Sequence, residues 1–260
     1  MHVRSAVADG QYIVPIRLGS RIFRPTLLMT LATLVAMAGL VSLGRWQLHR
    51  ADEKRALYDA FAQGTDGSGM RTLEAGTPAL PRYQPVRATG SFDSGRQVLI
   101  DNISNAADQA GYYVITPFEL AGGGWVLVNR GWVPLGASRA DKPKVEVSSD
   151  VREIRGRTDN LPRAGIQMGD RIALAPPYPV VANFPTRTEI GDLLHEKHWS
   201  TGAQVILLDA REPGGYLREW RPPGFPPMRH IAYAVQWFGL AAALAVIYVV
   251  TNLRSRDPAP

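Results

Sequence analysis

The chain has 260 residues, a formal net charge of +6 and no cysteine. That length suits one folded domain with membrane segments better than two independent domains of ordinary size. The absence of cysteine excludes disulfides, thiolate nucleophiles, Cys-x-x-Cys redox chemistry, covalent haem attachment and thiolate metal sites. The basic residues are scattered, and several flank apolar runs, which points to lipid headgroups rather than nucleic acid as the partner.

Residues 1–24 read as a short tail in which Pro15 and Gly19 interrupt any long amphipathic helix. Residues 25–44, between Arg24 and Arg45, carry no formal charge, and neither do residues 231–253, between His230 and Arg254. A bilayer core of about 30 Å takes roughly 20 helical residues, so both runs are expected to be transmembrane helices. The first is too long for a cleaved secretory signal, and Gly44-Arg45-Trp46-Gln47 is a poor cleavage site. Two spans place the tails 1–24 and 254–260 on one side of the membrane and residues 45–230 on the other. Arg4, Arg17, Arg21 and Arg24 before the first span are matched by Arg45, Arg50, Lys54 and Arg55 after it, so charge bias does not orient the chain. A long domain is translocated largely regardless of its charge, which favours termini in the cytoplasm and the central domain outside.

After the first span, Trp46, Leu57 and Phe61 sit among charges as in a helix continuing out of the bilayer, with Trp46 in the interfacial belt. Residues 64–82 have the glycine and proline content of a loop. Tyr83–Phe92, Arg96–Ile103, Gly111–Leu120 and Trp125–Val133 are rich in β-branched and aromatic residues and predict a meander of antiparallel strands. Asp93-Ser94-Gly95 and Ala121-Gly122-Gly123-Gly124 read as its hairpin connections. Val151–Asn160 predicts another strand, Arg171–Leu174 and Val180–Asn183 two weak ones, and Ala203–Asp209 a strongly apolar last one. A short helix is expected over Thr188–His198, capped by Thr186 or Thr188. Residues 213–227 form a proline- and glycine-rich approach to the second span. The expected fold is α+β: two transmembrane helices flanking a mainly antiparallel, β-rich extramembrane domain with a short helix.

His230, Tyr233, Ala234, Trp237 and Ala241 share one face at the start of the second span. A histidine there is either an interfacial anchor whose polar tip reaches headgroups or a ligand; imidazole is a normal haem-iron ligand. The small residues that follow leave space for a flat ligand or a close helix partner. His49, five residues beyond the first span, falls near the same interface and is either solvated or convergent with His230. His195 and His198 are better read as exposed than as metal ligands, because the zincin spacing is absent. No nucleophile elbow, dinucleotide fingerprint or P-loop is present, so no enzyme class is indicated.

Three blocks together resemble the Surfeit locus protein 1 family of cytochrome c oxidase assembly factors. They are Leu43-Gly44-Arg45-Trp46-Gln47-Leu48-His49-Arg50; Gly111-Tyr112-Tyr113 through Pro117-Phe118 with Val128-Asn129-Arg130-Gly131-Trp132-Val133-Pro134; and Arg229-His230 through Tyr233-Ala234 to Gln236-Trp237-Phe238. The resemblance implies a non-catalytic helper in building the haem a centres of terminal oxidases. It would work beside the oxidase core subunit in the bacterial plasma membrane, or in the mitochondrial inner membrane of a eukaryote, with the haem a synthesis machinery among the candidate partners. It implies a central domain facing the periplasm or intermembrane space, and transient haem a contact at His230, supported by Tyr233 and Trp237. His49 and Arg130 are further candidates. Arg130 is read first as a structural strand residue, and second as a partner of a haem propionate, whose carboxylate suits its planar fork. The rival reading is a membrane scaffold that stabilises an oxidase intermediate without touching cofactor.

Overall fold

The computed structural model describes residues 13, 15–64, 67, 69–163, 173–196, 198–201 and 204–255. In chain order the elements are β1 (Ile16–Leu18), β2 (Arg21–Phe23), α1 (Leu27–Gln63), β3 (Arg71–Thr72), β4 (Pro85–Phe92), β5 (Val98–Ser104), β6 (Ala110–Leu120), β7 (Trp125–Pro134), β8 (Arg152–Asn160), β9 (Val180–Ala182), α2 (Arg187–Leu194), β10 (Gln204–Leu208), α3 (Pro227–Asn252) and β11 (Leu253–Ser255). They fall into a helical unit, the chain up to Tyr58 and from Pro223, and a sheet unit, Asp59–Pro222.

In the helical unit, α1 and α3 are both long and apolar enough to cross a membrane. At 1.5 Å per residue α1 runs about 55 Å, longer than a hydrocarbon core, so it continues well past the uncharged run. Pro227 occupies the first turn of α3, where its missing N–H costs nothing. The less exposed positions of α1, Thr30, Thr33, Met37, Leu40, Gly44, Gln47 and Ala51, recur at alternating spacings of three and four. Those of α3 include His230, Ala234, Trp237, Ala241, Leu244 and Tyr248 at the same spacing, with Ile231, Phe238 and Ala245 beside them. This spacing lines the seam between the two helices. The pair is antiparallel: the Thr30 and Tyr248 hydroxyls lie 2.6 Å apart near one end, and Lys54 Nζ donates to the Pro223 carbonyl at 2.9 Å near the other. Gly44 lets the helices close, since a Cβ there would lie 2.6 Å from the Phe238 ring. The small residues Ala234 and Ala241 of α3 therefore serve helix packing: both are buried, as is Ala51 of α1.

Beyond the ends of the spans, β1, β2 and β11 form a small antiparallel sheet in segments expected to be featureless. Arg24 N–H donates to the Asn252 carbonyl at 3.0 Å, and the Phe23 and Tyr248 rings meet edge to face. Strands this short carry no periodic signal, so only the pairing of distant segments reveals them.

The sheet unit is one eight-stranded mixed sheet in the order β3-β4-β8-β10-β7-β6-β5-β9. It is antiparallel except where β10 meets β7, β5 meets β9 and β3 meets β4. A further pairing, Gly90–Phe92 of β4 with Phe118–Leu120 of β6, closes β4, β8, β10, β7 and β6 into a ring. Gly90 permits that closure, because a Cβ would fall 1.9 Å from the Glu119 carbonyl oxygen. One apolar cluster includes Val86, Phe92, Phe118, Val128 and Ile206; another, on which α2 packs, includes Ile100, Ile115, Leu127, Ile190 and Leu207. The strand β7 is buried almost end to end because both its edges are paired and both its faces are covered.

Three expectations change. Asp93-Ser94-Gly95 does form a turn, with Gly95 and Arg96 N–H both donating to Asp93 Oδ1, yet β4 and β5 do not pair. Both instead use the same edge of β6, β5 along its first half and β4 along its last residues. The hairpin at Ala121–Gly124, by contrast, does connect the antiparallel β6 and β7, with Gly123 and Gly124 at φ +87° and +82°. The short helix ends at Leu194 rather than His198, because His195 adopts a left-handed conformation (φ 56°). Its start is a capping box: Thr186 Oγ1 accepts from the Glu189 N–H, and the Glu189 carboxylate accepts from the Thr186 N–H. Of the weak strand at Arg171–Leu174, residues 171 and 172 lie outside the described residues and the other two are not in a strand. Much of the tail 1–24, the last residues of the tail 254–260 and Ala203 also lie outside them.

Candidate functional site

His230 sits in the first turn of α3, half-buried on the seam. Its Nδ1 lies 2.9 Å from Gln47 Oε1. An amide oxygen can only accept, so Nδ1 is the donor of this contact, and in the neutral ring Nε2 then keeps its lone pair. Among the described residues Nε2 has no polar partner. A neutral imidazole with one nitrogen engaged by a carbonyl and the other unprotonated is the donor arrangement of a metal-bound histidine, so the residues fit an axial haem ligand.

Trp237 lies on the same seam, two turns along α3, and is half-buried. Tyr233 is off the seam and 44% exposed. The seam itself is filled by α1, so the face the sequence groups together is split by packing: His230, Ala234, Trp237 and Ala241 turn toward α1, and Tyr233 turns outward. His49 does not join His230. It lies on the outer side of α1, with its side chain 74% exposed and Nε2 3.2 Å from Glu53 Oε1. Gln47, two residues earlier, occupies the position facing α3. The signal for Gln47 was in the sequence, in the Gly44, Gln47, Ala51 spacing, but it becomes visible only once α1 and α3 are known to pair in this register.

Arg130 belongs to the sheet unit and is fully buried on β7. Its Nε donates to Thr116 Oγ1 at 2.9 Å. One terminal nitrogen donates to the carbonyls of Gly214 at 2.8 Å and Glu146 at 3.2 Å. The other donates to Gln97 Oε1 at 2.9 Å and the Val145 carbonyl at 2.7 Å, with the Tyr216 hydroxyl at 3.5 Å. The whole fork is thus spent on interior oxygens, and the guanidinium also stacks 5.0 Å from the Tyr216 ring centroid. Burial pushes its pKa down, partly opposed by Tyr216, but an arginine remains charged throughout. No carboxylate pairs with it among the described residues; oriented carbonyls take the place of a counter-ion.

The neighbours of Arg130 follow the same logic. Asn129 Oδ1 accepts from the Gly131 N–H at 3.1 Å. Gly131 has φ +116°, and a Cβ there would lie 2.7 Å from the Leu217 carbonyl oxygen. Trp132 exchanges backbone hydrogen bonds with Leu217 and donates its indole N–H to the Ile103 carbonyl at 3.0 Å. The Tyr216 N–H donates to the Arg130 carbonyl at 2.7 Å. The block Asn129-Arg130-Gly131-Trp132 therefore fastens two connections, residues 145–146 and 214–217, onto the sheet. No group of three or more potential metal ligands gathers at His195, His198 or elsewhere among the described residues.

These features define a protein with two candidate membrane-spanning helices flanking a mixed-sheet domain, with a half-buried, amide-bonded histidine in the helical pair. The chain belongs to the SURF1 family, whose model matches residues 34–242. It is 30% identical to a SURF1-like protein of Rickettsia felis over 85% of this chain and 95% of the relative. A SURF1-like protein of Rickettsia conorii is also 30% identical, over 83% and 87%. Surfeit locus protein 1 of Homo sapiens is 27% identical over 82% and 73%. The family is known for cytochrome oxidase assembly factors.

Proposed function

We propose that this protein assists haem a insertion into the core subunit of cytochrome c oxidase, holding the haem transiently at His230. The helices α1 and α3 cross the plasma membrane of a bacterium, or the mitochondrial inner membrane of a eukaryote. The sheet domain faces the periplasm or intermembrane space and the termini face the opposite side. The observation that carries the reading is the half-buried contact of His230 Nδ1 with Gln47 Oε1, an arrangement that favours a free Nε2 in the neutral ring. His230 would hold haem a through Nε2, and the bound haem would supply the iron. Tyr233, turned outward one turn from His230, offers ring surface to a porphyrin on that side, and Trp237, half-buried, would have to contact it from the side facing α1. Arg130 acts inside the sheet domain by holding its connections, and His49 by an exposed pair with Glu53. The haem is received from the haem a synthesis machinery and passed on; the protein itself performs no bond chemistry.

The test is the absorption spectrum of the full chain purified from cells that make haem a, beside His230→Ala. A haem a spectrum in the wild type that His230→Ala lacks supports carriage; equal spectra reject the site. A second reading, scaffolding without cofactor, is favoured by the contact of Gly44 with the Phe238 ring, which shows part of the face that follows His230 given over to helix packing. A haem-free wild type that still restores oxidase assembly identifies that case.

A further inference from the structure

We infer that Gln47 is a positioning residue for an iron–porphyrin ligand at His230: its side-chain carbonyl holds the imidazole proton on Nδ1 and presents the unprotonated Nε2 to the metal. The inference rests on the reading of His230 as a haem ligand and adds to it a residue on the other helix. Free imidazole interconverts between two neutral tautomers, and only the nitrogen without a proton can coordinate. At His230 an amide oxygen 2.9 Å from Nδ1 favours the neutral tautomer that carries its proton there.

The device depends on the seam. Gln47 lies midway between Gly44 and Ala51, both buried, so its backbone is held against α3 by packing above and below. Closer to the end of the helical pair, Lys54 Nζ holds the Pro223 carbonyl and fixes the register of the approach to α3. Gln47 has no other polar partner among the described residues, so its carbonyl is committed to the imidazole. A carbonyl accepting from Nδ1–H also fixes the ring plane and makes Nε2 a stronger donor, the part outer partners play at histidine metal sites. His230 would then hold iron through the Nε2 lone pair without losing a proton, and Nδ1 would keep its hydrogen.

The test uses the full chain in lipid nanodiscs and has two arms. In the first, without haem, nitrogen-15 histidine spectra of the wild type, Gln47→Leu and Gln47→Glu are compared, with the His230 signals assigned by their loss in His230→Ala. The expected result is a neutral His230 protonated on Nδ1 in the wild type, Nδ1 still protonated in Gln47→Glu, where the carboxylate also favours the imidazolium, and loss of the single-tautomer pattern in Gln47→Leu. A wild-type His230 protonated on Nε2, or a Gln47→Leu pattern identical to wild type, overturns the inference. In the second arm haem a itself is titrated and read by absorption and electron paramagnetic resonance. Gln47→Leu is expected to weaken retention roughly tenfold or more, the usual cost of losing an outer partner of a histidine ligand, and Gln47→Glu to restore it with a shifted spectrum. If His230→Ala loses haem while Gln47→Leu binds as wild type does, positioning is refuted and carriage stands. If His230→Ala binds as tightly as wild type, carriage by His230 fails, and the tautomer arm still decides whether Gln47 sets the proton.

Discussion

Replacing Arg130 by alanine tests whether the buried guanidinium is the fastener of the sheet domain. The substitution strands Gln97 Oε1 and the carbonyls of Val145, Glu146 and Gly214 without their donor, and opens a hole beside Phe92 and Tyr216. Hydrogen bonds from a charged donor contribute about 1.5–3 kcal/mol each, but removing the cation also relieves the cost of burying it. The two partly cancel, and several stranded neutral acceptors at about 1–3 kcal/mol each leave a net loss of about 3–5 kcal/mol. For a domain of this size that is a fall in Tm of roughly 6–20 °C. The assay is thermal unfolding of the full chain in detergent followed by tryptophan fluorescence, since Trp125, Trp132, Trp199 and Trp220 all lie in the sheet unit. Hydrogen exchange should show the loss concentrated at residues 145–147 and 213–217, with the apolar strands affected less. Arg130→Lys should recover only part of the stability, because one ammonium cannot serve acceptors on so many sides. A Tm within about 2 °C of wild type for Arg130→Ala, or unchanged protection at both connections, would refute the reasoning.

Other substitutions probe single contacts. Gly131→Ala places a Cβ against the Leu217 carbonyl at a φ that L-residues avoid, and should cost about 1–3 kcal/mol in the same unfolding assay. Gly44→Leu cannot coexist with Phe238 in its present place, so nitroxide labels on cysteines introduced at the exposed Val35 and Val246 should show a longer and broader distance distribution; an unchanged distribution counts against the seam. The cysteine-free chain makes that labelling specific. Thr186→Ala removes one half of the capping box and should destabilise α2 by about 1 kcal/mol, visible as faster exchange of the Glu189 amide.

The strands and spans were legible where the signal is local. The uncharged runs, the β-branched segments and the glycine hairpin at Ala121–Gly124 each declare their element within a short window. The Asp93 turn was also legible as a turn, but not as a junction between strands that do not pair. Which strand takes the edge of β6 depends on how closely Gly90 can approach Glu119, a contact between residues far apart in the chain. Likewise the capping residue Thr186 was readable, whereas the early stop at His195 was not, because a left-handed histidine has no sequence mark of the kind a glycine gives.

By itself, then, the sequence determined the two candidate spans, the β-rich domain between them, the exclusion of thiol chemistry, and His230 as the residue to watch, since charge, apolar length and residue type act locally. The tertiary structure decided what those residues touch. It closed five strands into a ring, turned Arg130 inward onto carbonyl oxygens, kept His49 outside with Glu53, and set Gln47 against His230. Each of those outcomes depends on the register between segments that only packing brings together, where a shift of one or two residues on a helix or strand would turn a different side chain toward the partner.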